Sequence, residues 1–231
     1  MKIVQSINAT QKDIVNKKFN YWIGISLGNK CFSKENIQKY VEWAILNTKE
    51  SVLIVIADWI YSINTRVLDK RNAQPALNKA MRLGDKKLAE VIEIISHLSP
   101  DQAAKVKIAR WKDIESSETH QNRVKIIFEE FSKKDDFYNR IIDIVKENFK
   151  GRPETLEISD IEKLSEYVLH EIPMFLDGIH LFGHTYDAIL YPKIGQIDLL
   201  EQDLQKGVVF PEITKSLEIK SAAAVIEAYV D

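Results

Sequence analysis

An α/β fold with a mostly parallel central sheet is what the sequence predicts, and three observations carry that expectation. A short apolar run, Phe19–Ser26 (FNYWIGIS), ends in a Gly/Ser loop and reads as a buried strand. A β-branched run, Ser51–Ile56 (SVLIVI), reads as a second buried strand. Between them Ile37, Tyr40, Val41, Ala44 and Ile45 fall on one helical face, behind Ser33 as candidate N-cap with Glu35 in the first turn. Strand, helix and strand in that order make a parallel βαβ unit. The expected architecture is Rossmann-like, with helices on both faces of the sheet and a helical elaboration over 112–180.

The remaining elements follow in order. Leu77, Met81, Leu88, Val91, Ile92 and Ile95 recur at helical spacing and predict a long helix from Ala73 to Leu98, with Gly84 weakening its middle. Val106–Trp111 reads as a third strand, followed by helical segments at 119–132, 136–150 and 158–178. Tyr186–Tyr191 (YDAILY) reads as a strand stopped by Pro192, and Ala222–Val230 as a last strand.

Composition narrows the class. The 231 residues fit a single domain over 1–231. A chain of this size buries roughly 70% of its unfolded surface and needs no covalent staples. Hydrophobic residues at 45% and charged residues at 29% are ordinary for a globular protein, and no apolar run reaches the length of a membrane span. The first residues lack the apolar core of a signal peptide, and Cys31 is the sole cysteine, so the expected setting is reducing and cytoplasmic. A net charge of −2 means that affinity for nucleic acid has to come from a local patch.

Gly24-Ile25-Ser26-Leu27-Gly28 matches the short G-x-S-x-G pattern of a nucleophile elbow. One reading is a glycine-flanked turn in which Ser26 bonds its own backbone. A serine hydrolase is another, since Asp177, His180 and His184 follow the serine in an order that a triad allows. Against it, about 25 residues precede Ser26, too few for the strands a hydrolase sheet places before its elbow. A noncatalytic tRNA- or nucleotide-binding domain is a third reading. His180 and His184 have the i, i+4 spacing of zinc ligands, but no glutamate lies between them and Gly183 disfavours a regular helix, so both are read as structural.

The stretch Trp22–Ser33 (WIGISLGNKCFS) resembles the serine loop of the tRNA-dependent cyclodipeptide synthases. Tyr167–Pro173 (YVLHEIP) resembles that family's Tyr-x-x-x-Glu helix with its following proline, and Tyr191-Pro192 resembles a third family element, a tyrosine at a strand end. The family's members resemble the catalytic domains of class I tyrosyl- and tryptophanyl-tRNA synthetases without their ATP-binding signatures. Of the family's two groups, Tyr191-Pro192 fits one and Asn29 is typical of the other. Where a further family tyrosine is expected this chain offers His120, to which no role is assigned.

The resemblance implies an enzyme that joins two aminoacyl-tRNAs into a diketopiperazine by a ping-pong route through an aminoacyl-serine at Ser26. An aminoacyl-tRNA is already an activated ester, so its transfer to serine exchanges one ester for another and calls for no ATP, metal or redox cofactor. Gly24 and Gly28 let backbone approach the substrate carbonyl, and N–H groups around Gly28 and Asn29 are placed to stabilise an oxyanion. Tyr167 and Glu171, four apart, share a helix face. The resemblance gives them the aminoacyl group to hold, with Glu171 also accepting a proton, and gives Tyr191 a relay during ring closure. Burial that raises the pKa of Glu171 would suit that proton transfer.

Two further expectations concern substrates. From Arg66 to Lys87 seven basic residues face two acidic ones, leaving +5. Lys79, Arg82 and Lys86 form a stripe at i, i+3, i+7, with Lys87 beside it, and the resemblance makes this helix a tRNA-binding surface. Strand alternation puts Trp22, Gly24 and Ser26 on one face. A tryptophan there predicts a first substrate with a small side chain, alanine or glycine, while the bland alternative packs Trp22 against a helix.

Overall fold

The structure, a computed structural model, describes residues 1–150, 156–218 and 223–230. In chain order its elements are β1 (Lys2–Ile7), α1 (Gln11–Val15), β2 (Tyr21–Ile25), α2 (Lys34–Asn47), β3 (Val52–Ile56), α3 (Asp58–Leu68), α4 (Ala73–Ser96), α5 (Pro100–Lys105), β4 (Val106–Arg110) and α6 (Trp111–Glu115). They continue as α7 (Glu118–Ser132), α8 (Asp136–Asn148), α9 (Ile158–Asp177), β5 (Ile179–Leu181), β6 (His184–Tyr186), β7 (Ala188–Tyr191), α10 (Gln196–Gln205), α11 (Pro211–Ser216) and β8 (Ala224–Tyr229).

The central sheet has the order β1-β8-β7-β2-β3-β4. Every neighbouring pair is parallel except β1–β8 at one edge, so the expected Rossmann-like sheet is present. The chain runs outward from β2 through β3 to β4, then returns to place β7 and β8 on the other side of β2. β2 and β7 therefore flank the switch point where an open parallel sheet leaves a crevice beyond its strand ends.

Strand alternation sorts the β2 side chains between two cores. Tyr21, Ile23 and Ile25 pack with Ile37, Tyr40, Val41, Ala44 and Ile45 of α2 and with Val91 and Ile94 of α4. Trp22 instead joins Leu53 and Val55 of β3, Ile60 and Ile63 of α3, and Met174 and Phe175 of α9. A third cluster links α8 and α9 of the expected helical elaboration with α10, which lies beyond its expected span, through Ile141, Val145, Leu164, Val168, Leu200 and Leu204. Among the described residues no helix is long and apolar enough to cross a membrane.

Several boundaries differ from the sequence reading. The strand expected over Tyr186–Tyr191 is two strands that break at Asp187. Tyr186 closes a hairpin with β5, and the Asp187 carboxylate accepts the Asn20 N–H at 2.9 Å, which turns the chain into β7. Trp111 begins α6 instead of ending β4, and α8 stops at Asn148. Of the last expected strand, 224–229 is present, whereas Ala222 lies outside the described residues. Gly84 does not interrupt α4, because the glycine serves close helix packing: a Cβ there would lie 2.5 Å from Cβ of the buried Asp58 on α3. Ser33 caps α2 as expected, accepting the Asn36 N–H at 3.2 Å.

Candidate active site

Ser26 follows the last residue of β2, and Tyr191 ends the adjacent parallel strand β7, so the switch point brings them together across 165 residues. Their hydroxyls lie 3.0 Å apart. The Tyr167 side chain lies beside the Ser26 hydroxyl. Tyr167 stands on α9 one turn before Glu171, and both project into the same space beyond the strand ends. Three of the four residues expected to do chemistry thus meet at one hydroxyl, and the fourth stands beside them.

Two cavities open from this point, and Ser26, Glu171, Tyr191, Ile197 and Asp198 line both. The smaller, about 70 Å³, is walled by Trp22, Gly24, Val55, Ala57, Trp111 and Phe175 among others. The larger, about 330 Å³, is bounded by Tyr61, Asn64, Asn148, Tyr167 and Lys193 and carries more polar surface. Trp22 packs edge-on against Phe175 of α9 at 5.5 Å and lines one side of the small cavity. Gly24 makes room for it, since a Cβ there would stand 3.1 Å from the indole ring.

The loop after Ser26 is fixed by its own bonds. Gly28 has φ +82, and a Cβ on it would stand 2.8 Å from the Tyr61 hydroxyl, so both backbone and space call for glycine. The Asn29 N–H closes a turn on the Ser26 carbonyl oxygen at 3.3 Å, while its side-chain oxygen accepts the Cys31 N–H at 2.9 Å. The Asn29 side chain also lies near Tyr191 of β7.

The electrostatics are those of a carboxylate-rich enclosure. Burial, reinforced by the charge of Asp198, pushes Glu171 up to about 8. Burial likewise raises Asp198 to about 6, against the N–H of Gly195, which bonds its carboxylate at 2.5 Å. Glu201, one turn further along α10, is driven well above the ordinary range by burial and by the charges of Asp198 and Glu171. Burial moves Tyr191 up to about 12, with Glu171 and Asp198 adding to the rise and its bond to Ser26 opposing it.

Asp198 and Glu201 are absent from the sequence reading. A signal for them exists: with Ile197, Leu200 and Leu204 they fall on the inward side of one helix, so two acids occupy core positions. Tyr61, which supports the serine loop, sits in α3, a helix that the sequence reading does not contain. Asp177 and His180 do form a bonded pair, at 3.0 Å, but the pair is completed by Arg123 and Thr185. The Ser26 hydroxyl instead meets two tyrosines, so the triad geometry of a serine hydrolase is not built here. His184 lies 3.4 Å from Glu50 across the hairpin side of the molecule. His120 is buried outside both cavities, and burial lowers it to about 4.

The basic stripe lies on α4. Lys79 bonds Asp69 at 2.6 Å, and the Lys87 ammonium donates to the Phe32 carbonyl at 2.7 Å and to Glu90 at 2.5 Å, which ties α4 to the segment after the serine loop. Arg82 and Lys86 are exposed and form no ion pair among the described residues.

The Rossmann-like fold is shared with the class I tRNA synthetases. A Mycobacterium tuberculosis protein whose structure relates cyclodipeptide synthetases to type I tRNA synthetases matches with TM-score 0.65 at 19% identity, over 83% of this chain and 81% of that one. Within that class the family is specific: the family described as Cyclodipeptide synthase matches residues 3–204, and the chain belongs to it. A Staphylococcus haemolyticus cyclodipeptide synthase superposes with TM-score 0.75 at 17% identity, covering 98% of this chain and 99% of that one. A Candidatus Glomeribacter gigasporarum synthase, solved bound to Phe-tRNAPhe, matches with TM-score 0.58 at 15% identity over 96% and 93%. At these identities the structural likeness speaks for the fold alone. A comparison with curated proteins finds no match.

Proposed function

We propose that this enzyme makes a cyclic dipeptide from two aminoacyl-tRNAs, with Ser26 carrying first the aminoacyl and then the dipeptidyl group. The observation that carries the reading is the Ser26 hydroxyl, bonded to Tyr191 and flanked by Tyr167 where two unequal cavities meet. Each cavity has room beside the serine for one aminoacyl group, and the shared wall is carboxylate.

The steps balance without an added reactant. The Ser26 oxygen attacks the ester carbon of the first aminoacyl-tRNA, and the ribose oxygen leaves with the serine proton. Glu171 takes a proton from the first α-ammonium, and the freed amine attacks the second ester, one of its two N–H protons leaving with the ribose oxygen of the second tRNA. The amine of the second residue then attacks the seryl ester. Tyr191, 3.0 Å from Ser26, passes a proton to the departing serine oxygen and restores the hydroxyl. A base matched to this work needs a pKa near the working pH, and Glu171 at about 8 suits it.

The small cavity is assigned to the first side chain. At about 70 Å³, with Trp22 along one side, it favours a small residue such as alanine or glycine. Overpacking a tight apolar site by a larger side chain costs about 1–3 kcal/mol. The tRNA partner is read from the exposed Arg82 and Lys86 on α4, with Lys79 contributing less because Asp69 already neutralises it. Mass spectrometry of products from a mixture of aminoacyl-tRNAs without ATP tests the reading. A diketopiperazine mass containing at least one small residue is expected; release of free amino acids alone would overturn it.

A further inference from the structure

Asp198 is the third residue of α10, 3% exposed, with its carboxylate held by the Gly195 N–H at 2.5 Å. It lines both cavities. Glu201 stands one turn behind it, 2% exposed, with both side-chain oxygens buried and without a hydrogen-bond partner among the described residues. Glu171 approaches from α9 and feels the charge of Asp198, while Glu201 feels both. The other titratable groups facing this wall are Tyr167 on α9, Tyr191 on β7, Glu227 on β8 and Lys193 at the exposed edge of the larger cavity. Glu227 adds more negative charge, and the Lys193 side chain is exposed to solvent.

Carboxyls crowded in a low-dielectric site cannot all ionise; an ionised member is stabilised by N–H donors, as the Gly195 N–H does for Asp198, and most strongly by a cation. The reaction supplies cations of one kind. An α-amino group has a pKa of about 7.7–8.0, so it is largely ammonium near neutral pH. Before the first amide bond forms, two aminoacyl groups are present together, one on Ser26 and one on tRNA. Glu171 can pair closely with only one of them.

We infer that Asp198 is a second substrate carboxylate, which holds the α-ammonium of the second aminoacyl group and accepts its proton before ring closure. This rests on the reading of Ser26 as the acyl carrier. The carboxylate takes one N–H proton, and the freed amine forms the C–N bond to the seryl carbonyl as the C–Oγ bond breaks. The remaining amine proton reaches Oγ through Tyr191, and Asp198 returns its proton to water. Two carboxylates thus serve two amines in turn. Glu201, enclosed beside Asp198 and without a hydrogen-bond partner among the described residues, belongs to the same wall; burial disfavours its charge and so leaves the negative charge to the carboxylate that faces substrate.

The test separates the two half-reactions. Enzyme is loaded with a labelled first aminoacyl group, then mixed with a second aminoacyl-tRNA, and the seryl ester and cyclic product are followed against pH. Asp198→Asn keeps the cap on the Gly195 N–H and is expected to load Ser26, yet to turn over the second substrate roughly 10- to 100-fold more slowly, the scale of a missing charge-assisted bond. Its cyclisation rate should also lose the pH limb that wild type shows, with Asp198→Glu restoring it. On wild-type enzyme, tRNA charged with a 2-hydroxy acid, which has no ammonium, should bind the loaded site at least about 10-fold more weakly than aminoacyl-tRNA. That measurement needs no variant. Normal loading with an unchanged second step and pH profile, or equal binding of the two charged tRNAs, overturns the role of Asp198. Failure of wild-type enzyme to acquire label on Ser26 overturns the acyl-carrier reading instead.

Discussion

Replacing Glu171 by Gln should change how stability depends on pH, and the size of the change follows from its surroundings. Burial and the charge of Asp198 raise this carboxyl from 4.5 to about 8. The native state therefore binds a proton that the unfolded chain has released across that window. The resulting stability is fully present below pH 4.5 and is lost as pH rises through about 8. A tenfold difference in proton affinity between the folded and unfolded chain is worth about 1.4 kcal/mol, so between about pH 6 and about pH 9 the wild-type protein should lose at most about 3 kcal/mol through this group. Part of the Glu171 surface faces the cavity, which makes that figure an upper bound. Glutamine keeps the shape and cannot ionise. Urea unfolding of both proteins at the two pH values reads the difference directly. The gap between variant and wild type should widen in favour of the variant at the higher pH, while diketopiperazine formation collapses at both. Parallel stability changes would refute the buried, proton-holding Glu171 on which the proposed proton transfer depends.

Other perturbations separate the remaining parts of the account. Trp22→Leu should enlarge the small cavity and admit larger first residues, read as new products when leucyl- and phenylalanyl-tRNA are in excess; an unchanged product spectrum would remove Trp22 as the determinant. Replacing Lys79, Arg82 and Lys86 together by Ala should lower the salt dependence of tRNA binding by about one slope unit for each phosphate no longer neutralised. Lys79, paired with Asp69, should contribute least, and an unchanged slope would leave the stripe a solvated face. Gly28→Ala forces a side chain to φ +82 and against the Tyr61 hydroxyl, so loading of Ser26 should fall while the melting temperature drops by only a few degrees. Loading at the wild-type rate would show that the loop geometry is not critical.

How much of this is legible in the sequence depends on how locally each feature is encoded. The strand before Ser26, the α2 face and the cap at Ser33 are written in a few consecutive residues, and they fold as read. Tyr167 and Glu171 share a face by spacing alone, so a helix suffices to pair them. What brings Tyr191 to Ser26 is strand order, and no local pattern encodes that β7 returns to the far side of β2. The resemblance points to the tyrosine; the sheet supplies the 3.0 Å approach. α3 escapes a sequence reading because it starts a single residue after the β-branched β3 run, so its buried positions, Ile60, Ile63 and Val67, blur into that run. β1 is an edge strand paired only with the last strand of the chain, so its pattern carries little on its own. Asp198 and Glu201 show the reverse problem. Acids at the core side of a helix break the expected pattern, and only the assembled fold shows Asp198 on the wall of both cavities with Glu201 one turn behind it.

The central claim is the ester on Ser26, and intact-protein mass spectrometry tests it most directly. Wild-type enzyme mixed briefly with a single aminoacyl-tRNA, without ATP, should gain the mass of one aminoacyl group, on the peptide that spans Trp22–Ser33. Ser26→Ala, which removes only a hydroxyl from the tyrosine pair, should fold normally, gain no mass and make no diketopiperazine. Undiminished cyclic product from the alanine variant would contradict the account at its foundation.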